Sequence, residues 1–68
     1  MSSLGENIKA VREKRNMSQE ELAQKLRVGA KRIEDYESGT QIPSNETLLR
    51  LSTVLDIPTS ELISESRA

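Results

Sequence analysis

Cysteine and histidine are both missing from this chain of 68 residues. No disulfide can brace it, no thiolate can hold a metal, and zinc would have only carboxylates to bind, so no metal site is expected. The commonest catalytic bases and nucleophiles are missing with them, as is any phosphate-cradling glycine loop. The sequence therefore argues against an enzyme and implies no cofactor and no small-molecule substrate. Ser18, Ser44 and Thr59 stand where helices are expected to begin and read as caps, not nucleophiles. Long apolar runs are lacking too: nothing approaches the ~20 residues of a membrane span. Met1 to Asn16 is amphipathic and charged, unlike a signal peptide. The expectation is a soluble, cytoplasmic protein with no membrane partner.

An excess of positive charge is also missing, because the net charge is −1. Its distribution is uneven. Residues 1–32 hold eight Lys/Arg against four Glu, a surplus of +4, while residues 33–68 hold two Arg against seven acids, a deficit of −5. One half can face an anionic partner while the other faces away; two ordinary solvated helix surfaces account for the same numbers. A chain of this length makes one domain with a small core, since such a domain buries only ~60% of the surface its unfolded form exposes.

Five helices with short connections can be read along the chain, and no strand pattern. Leu4, Ile8 and Val11 form one apolar stripe on a helix that ends near Asn16, a residue suited to a left-handed C-terminal cap. Ser18-Gln19-Glu20-Glu21 is a capping box that opens a second helix, with Met17 and Leu22 placed for a hydrophobic staple and Leu22, Ala23 and Leu26 inward. Arg27-Val28-Gly29 makes a tight turn. A third helix spans 30–37, with Ile33 and Tyr36 inward, and Ser38-Gly39 stops it. Pro43 fixes the loop from Thr40 to Asn45. A fourth helix starts at Ser44 or Asn45 and buries Leu48, Leu51 and Leu55, and Asp56-Ile57-Pro58 breaks it. Thr59 caps a short last helix bearing Leu62 and Ile63, and 64–68 is expected to fray. The reading is an all-α, compact five-helix domain over 1–68 with its core in 4–63.

The informative stretch is Ser18 to Gly39: a capped short helix, a three-residue turn with glycine, and a second short helix. Helices joined so tightly cross steeply, which lets the second project from the body. A projecting helix fits the DNA major groove and presents its first turn to base edges. The pattern by itself equally allows an ordinary helical hairpin inside a bundle.

The wider sequence resembles the Cro/phage-repressor (xenobiotic-response-element) family of lambda-repressor-like helix-turn-helix domains. The residues that carry the likeness are Ile8-x-x-Val11-Arg12, Met17-Ser18-Gln19-x-x-Leu22-Ala23-x-x-Leu26, Val28, Ile33-x-x-Tyr36-Glu37-x-Gly39, Pro43-Ser44, Leu48-x-x-Leu51 and Leu55-x-Ile57. The resemblance implies a sequence-specific transcriptional regulator, a repressor, that binds a near-palindromic double-stranded operator as a homodimer through the helix 30–37. It implies that Ala30, Lys31 and Asp35 read bases: Lys31 donates to guanine, Asp35 accepts from cytosine N4, and Ala30 meets a thymine methyl. Gln19 is implied to contact phosphate and orient recognition side chains, with Arg32, Thr40, Gln41 and Asn45 as further phosphate contacts. Arg12 and Glu37 match a structural ion pair. Arg15, and less so Lys14, extend the basic face. Ile57, Leu62 and Ile63 are the dimer candidates, each weighed against burial in the monomer.

Some residues depart from the family pattern. Arg27 stands where glycine is usual, and a left-handed backbone there costs a non-glycine residue on the order of 1 kcal/mol. Gly29 replaces the usual Ser/Thr cap of the recognition helix. Glu34, Asp35 and Glu37 make that helix acidic. Asp35-Tyr36-Glu37-Ser38-Gly39 with Ile42-Pro43 also resembles coactivators built on this domain, so the alternative is a protein-interaction module with little or no operator binding. Control would come from concentration, a protein partner or a longer parent chain, because Leu4 to Ile63 is taken up by the domain itself and holds no sensing module.

Overall fold

A computed structural model of the chain describes residues 4–63. Five α-helices follow one another, with no strand among the described residues: α1 Leu4–Lys14, α2 Gln19–Leu26, α3 Ala30–Ser38, α4 Asn45–Leu55 and α5 Thr59–Leu62. This is the all-α, five-helix architecture expected from the apolar periodicities. The tail expected to fray, 64–68, lies outside the described residues.

Every helix contributes to one core. Ile8 from α1, Leu22, Ala23 and Leu26 from α2, Ile33 and Tyr36 from α3, Leu51 and Leu55 from α4 and Leu62 from α5 are all buried. Full burial of each large aliphatic side chain is worth about 1.5–3 kcal/mol, so the core rests on a handful of residues.

Three of the four turns between helices are built alike. Asn16, Arg27 and Asp56 take left-handed φ values of 59°, 63° and 57° although none is glycine. In each case the next amide reaches back five residues, Met17 to Arg12 O at 3.1 Å, Val28 to Ala23 O at 3.0 Å and Ile57 to Ser52 O at 3.0 Å. That is the Schellman arrangement. Met17, Val28 and Ile57 then pack half-buried against the core, and this apolar contact offsets the strain of the residue before it. The fourth turn uses Gly39, at φ 86°.

Helix starts follow the sequence at two places. The Ser18 hydroxyl accepts from the Glu21 amide at 3.0 Å while the Glu21 carboxylate accepts from the Ser18 amide at 2.9 Å. Ser44 likewise accepts from the Thr47 amide at 3.2 Å, which puts the start of α4 at Asn45. Gly29 precedes α3 and supplies no side-chain cap. Two boundaries are corrected. Thr59 is the first residue inside α5 and not its cap, a position held by Pro58, whose fixed φ sets the entry but whose ring offers no acceptor. Ser38 is the last residue of α3 and not part of its stop, so Gly39 alone ends the helix.

Two long-range features orient the bundle. Gly5 lies against the C-terminal turn of α3: a Cβ there would meet the Tyr36 carbonyl oxygen and lie 2.5 Å from that of Glu37. Only glycine lets α1 approach so closely. Asn7, buried in α1, donates Nδ2–H to Leu62 O at 2.7 Å and ties α1 to the end of α5.

Candidate nucleic-acid interface

The turn Arg27–Gly29 joins α2 to α3, and α3 is locked to the body along one face by buried Ile33 and Tyr36. The other face carries the side chains that matter for binding. Lys31, Arg32 and Glu34 are exposed, and Asp35 is half-buried. Ala30 is half-buried and packs partly against the core, so only the rest of its methyl surface faces out.

Lys31 and Asp35, both expected at base edges, are bonded to each other. Lys31 Nζ lies 2.8 Å from Asp35 Oδ1 across one helical turn. This hydrogen bond, helped by the Asp35 charge, raises the Lys31 pKa above the ordinary lysine value. The i, i+4 spacing is the sequence signal for such a pair, whereas the family resemblance implies a separate base for each residue.

Beneath that face, three helices meet at a buried polar cluster. Arg12 Nε donates to Glu37 Oε2 at 2.6 Å and Nη2 to Oε1 at 3.3 Å, a fork on the carboxylate. Arg12 Nη1 donates to Met17 O at 2.6 Å. Gln19 Nε2 donates to Glu37 Oε1 at 2.9 Å. The Arg12 and Glu37 side chains are only 10% and 5% exposed, so this is an interior ion pair. The Glu37 hydrogen bond raises the Arg12 pKa against the opposing effect of burial. Arg12 from α1, Gln19 from α2 and Glu37 from α3 therefore fix the angle at which α3 stands. Gln19 carries a structural bond that the sequence did not suggest, and keeps one amide N–H and its carbonyl oxygen beyond the bond to Glu37.

The remaining expected contacts are at the surface. Thr40 Oγ1 shares a hydrogen bond with Ser38 Oγ at 2.9 Å, and the Gln41 amide donates to Asp35 O at 3.2 Å. Asn45 is exposed at the first position of α4, and Arg32 is exposed on α3. Arg15 is exposed and has a structural bond as well. Its guanidinium donates to Leu55 O at 2.8 Å and Asp56 O at 3.0 Å and so caps the C-terminus of α4, where a cation meets unpaired carbonyls and the negative end of the helix dipole.

The dimer candidates separate by burial. Leu62 is completely buried and so belongs to the core, not to a surface. Ile57 is half-buried against the core. Ile63 is 53% exposed, and it lines a cleft with Leu49, Asn45, Leu48 and Thr59. Leu49 is 61% exposed and went unnoticed in the sequence, because it lies beside the Leu48–Leu51–Leu55 stripe and not on it.

Known proteins are similar to this chain in sequence and in fold. The chain is similar to the HTH-type transcriptional regulator ImmR of Bacillus subtilis (strain 168), 36% identical over 61 residues that cover 90% of this chain and 48% of that protein. It is also similar to the cryptic phage CTXphi transcriptional repressor RstR of Vibrio cholerae, 39% identical over 59 residues, covering 87% of this chain and 53% of that one. The chain thus spans about half the length of these curated relatives. Among solved structures, the P22 c2 repressor in complex with synthetic operator 9T superposes with a TM-score of 0.89 at 29% identity, over 97% of this chain and 100% of that one. A family profile described as helix-turn-helix matches residues 8–62, which takes in α2, the turn, α3 and the buried cluster that braces them: the chain belongs to the helix-turn-helix family.

Proposed function

We propose that this chain is a sequence-specific DNA-binding domain of a transcriptional regulator, a repressor, which reads a near-palindromic operator as a homodimer in the cytoplasm. The observation that carries the reading is the braced α2–turn–α3 unit. One face of α3 is anchored by Ile33 and Tyr36, and its opposite face presents Lys31 and Arg32. Support comes from the regulator and repressor named above, and from the P22 c2 repressor, whose structure is of an operator complex.

In this reading the first turn of α3 enters the major groove, with Lys31, Asp35 and the exposed part of Ala30 at base edges. Gln19, Arg32, Thr40, Gln41 and Asn45 meet phosphates and set the register. Gln19 does so with the polar groups left over from its bond to Glu37. Two copies meet through Ile63, with Leu49 beside it and Ile57 at the margin, and this sets the recognition helices about 34 Å apart.

The acidity of α3 favours a second reading, a protein-bridging module. Selection from randomised duplexes by the purified protein, followed by titration of the winning sequence at several salt concentrations, separates the two. The operator reader enriches a palindrome, binds at two chains per site and loses affinity with a log-log slope of about −0.9 per phosphate neutralised. A folded protein that enriches nothing and shows no salt-sensitive binding is the bridging module instead.

A further inference from the structure

A carboxylate on the exposed side of a helix offered to a polyphosphate lowers affinity unless something makes use of it. On α3 Glu34 is exposed and Asp35 half-buried on the outward face, and it is Asp35 that Lys31 Nζ approaches, at 2.8 Å. The two partners are held unequally. The Asp35 side chain is 16% exposed, whereas that of Lys31 is 77% exposed. The Asp35 carbonyl is fixed as well, accepting from the Gln41 amide at 3.2 Å and from the Ser38 hydroxyl at 3.2 Å. The acid is the anchored member of the pair and the lysine the one able to move.

Resting on the reading of α3 as the base-reading helix, we propose that Asp35 is a positioning and discriminating residue that keeps Lys31 in a preformed pair which base edges accept and phosphates reject. A phosphate offers acceptors only: it competes for the ammonium and repels the carboxylate. A guanine–cytosine pair offers both halves of what the pair needs, with guanine O6 and N7 accepting from Lys31 and the cytosine N4 amino group donating to Asp35. Asp35 thus contributes little to cognate affinity. It raises specificity by penalising every duplex that leaves its carboxylate unmatched, which gives a helix of mixed charge a use in DNA reading.

The test is a double-mutant cycle of Asp35→Asn and Lys31→Met in the full chain, with each variant first shown to melt cooperatively. Affinities are measured for the selected duplex and for a scrambled duplex of equal length across a salt series. Asp35→Asn is expected to tighten scrambled-duplex binding about three- to tenfold and to steepen its log-log salt slope by about 0.9, the share of one newly neutralised phosphate. The ratio of selected to scrambled affinity falls accordingly. In the Lys31→Met background the same change leaves the slope where it was, because no lysine is set free. Equal weakening of both duplexes by Asp35→Asn, unchanged discrimination, or the same slope change in both backgrounds overturns the pair. If neither the wild-type protein nor any variant selects or binds duplex, the operator reading itself fails, an outcome distinct from a selective wild type that is indifferent to Asp35.

Discussion

Arg12 makes three of the hydrogen bonds that hold the helix-turn-helix together: two to Glu37 and one to the Met17 carbonyl. Removing it leaves a carboxylate whose side chain is only 5% exposed without a charge partner, held by the Gln19 amide alone. Breaking a buried pair from one side costs about 3–5 kcal/mol, a large share of the stability of a domain this small. Arg12→Ala is therefore expected to lower the melting temperature steeply, whereas Lys14→Ala, on the exposed face of the same helix, stays within about 0.5 kcal/mol. Equal melting temperatures for the two would show that the ion pair does not brace the fold. Lys31 and Asp35 are a pair of the opposite kind. Lys31 is so exposed that the bond adds little to stability, and its effect belongs to binding.

Helix ends and helix contacts set the next scale. Gly29 starts α3 with an extended backbone, φ −78° and ψ 154°, and an added Cβ would meet nothing within 4 Å. A serine fits that conformation and can accept from the uncapped amides of the first turn. Gly29→Ser is expected to stabilise the domain by about a few tenths of a kcal/mol, read as a slightly higher denaturation midpoint; a lower midpoint would mean that the turn needs glycine for another reason. Gly5 is the contrasting case. Alanine is favoured over glycine within a helix by about 1 kcal/mol, so Gly5→Ala would stabilise if only propensity acted. The backbone carbonyls of α3 stand where the new Cβ would go, and backbone cannot yield as a side-chain tip can. Gly5→Ala is expected to destabilise by about 1–3 kcal/mol, and a rise in stability would show that α1 and α3 have room to separate.

The whole molecule presents surfaces of different character. Its cations are concentrated in residues 1–32, which carry +4 and include α1, α2 and the first turn of α3. Leu49 and Ile63, from α4 and the residue after α5, meet at a separate apolar cleft that also includes Asn45. Both side chains are more than half exposed, so a charge placed there costs the monomer little. Leu49→Glu and Ile63→Glu are each expected to leave the melting temperature within a few degrees of wild type while weakening two-chain binding to a palindrome. Sedimentation on and off the duplex reads the change, and unaltered two-chain binding would place the dimer contact elsewhere. No helix of the described residues is long and apolar enough to cross a membrane.

The sequence alone determined what depends on near neighbours. The five helices, the Ser18 and Ser44 caps and the inward positions of Leu22, Leu26, Ile33, Leu51 and Leu55 were all legible, since capping and amphipathic periodicity act within a turn or two, while the left-handed Arg27 and the uncapped Gly29 were legible only against the family pattern. The pairing of Arg12 with Glu37 was legible only through family resemblance. Tertiary structure decided where distant segments meet. Asn7 reaches Leu62 across 55 positions and Arg15 reaches Leu55 across 40, and Gln19 shares Glu37 with Arg12 across 18. It also decided that Leu62 is core while Ile63 and Leu49 are surface. A hydrophobic stripe shows which way one helix faces, but not which neighbour covers its margin or which carbonyl lies within reach of a long polar side chain. Those depend on how closely and at what angle the helices cross, which Gly5, the Asn7 bond to Leu62 and the cluster of Arg12, Gln19 and Glu37 help to set.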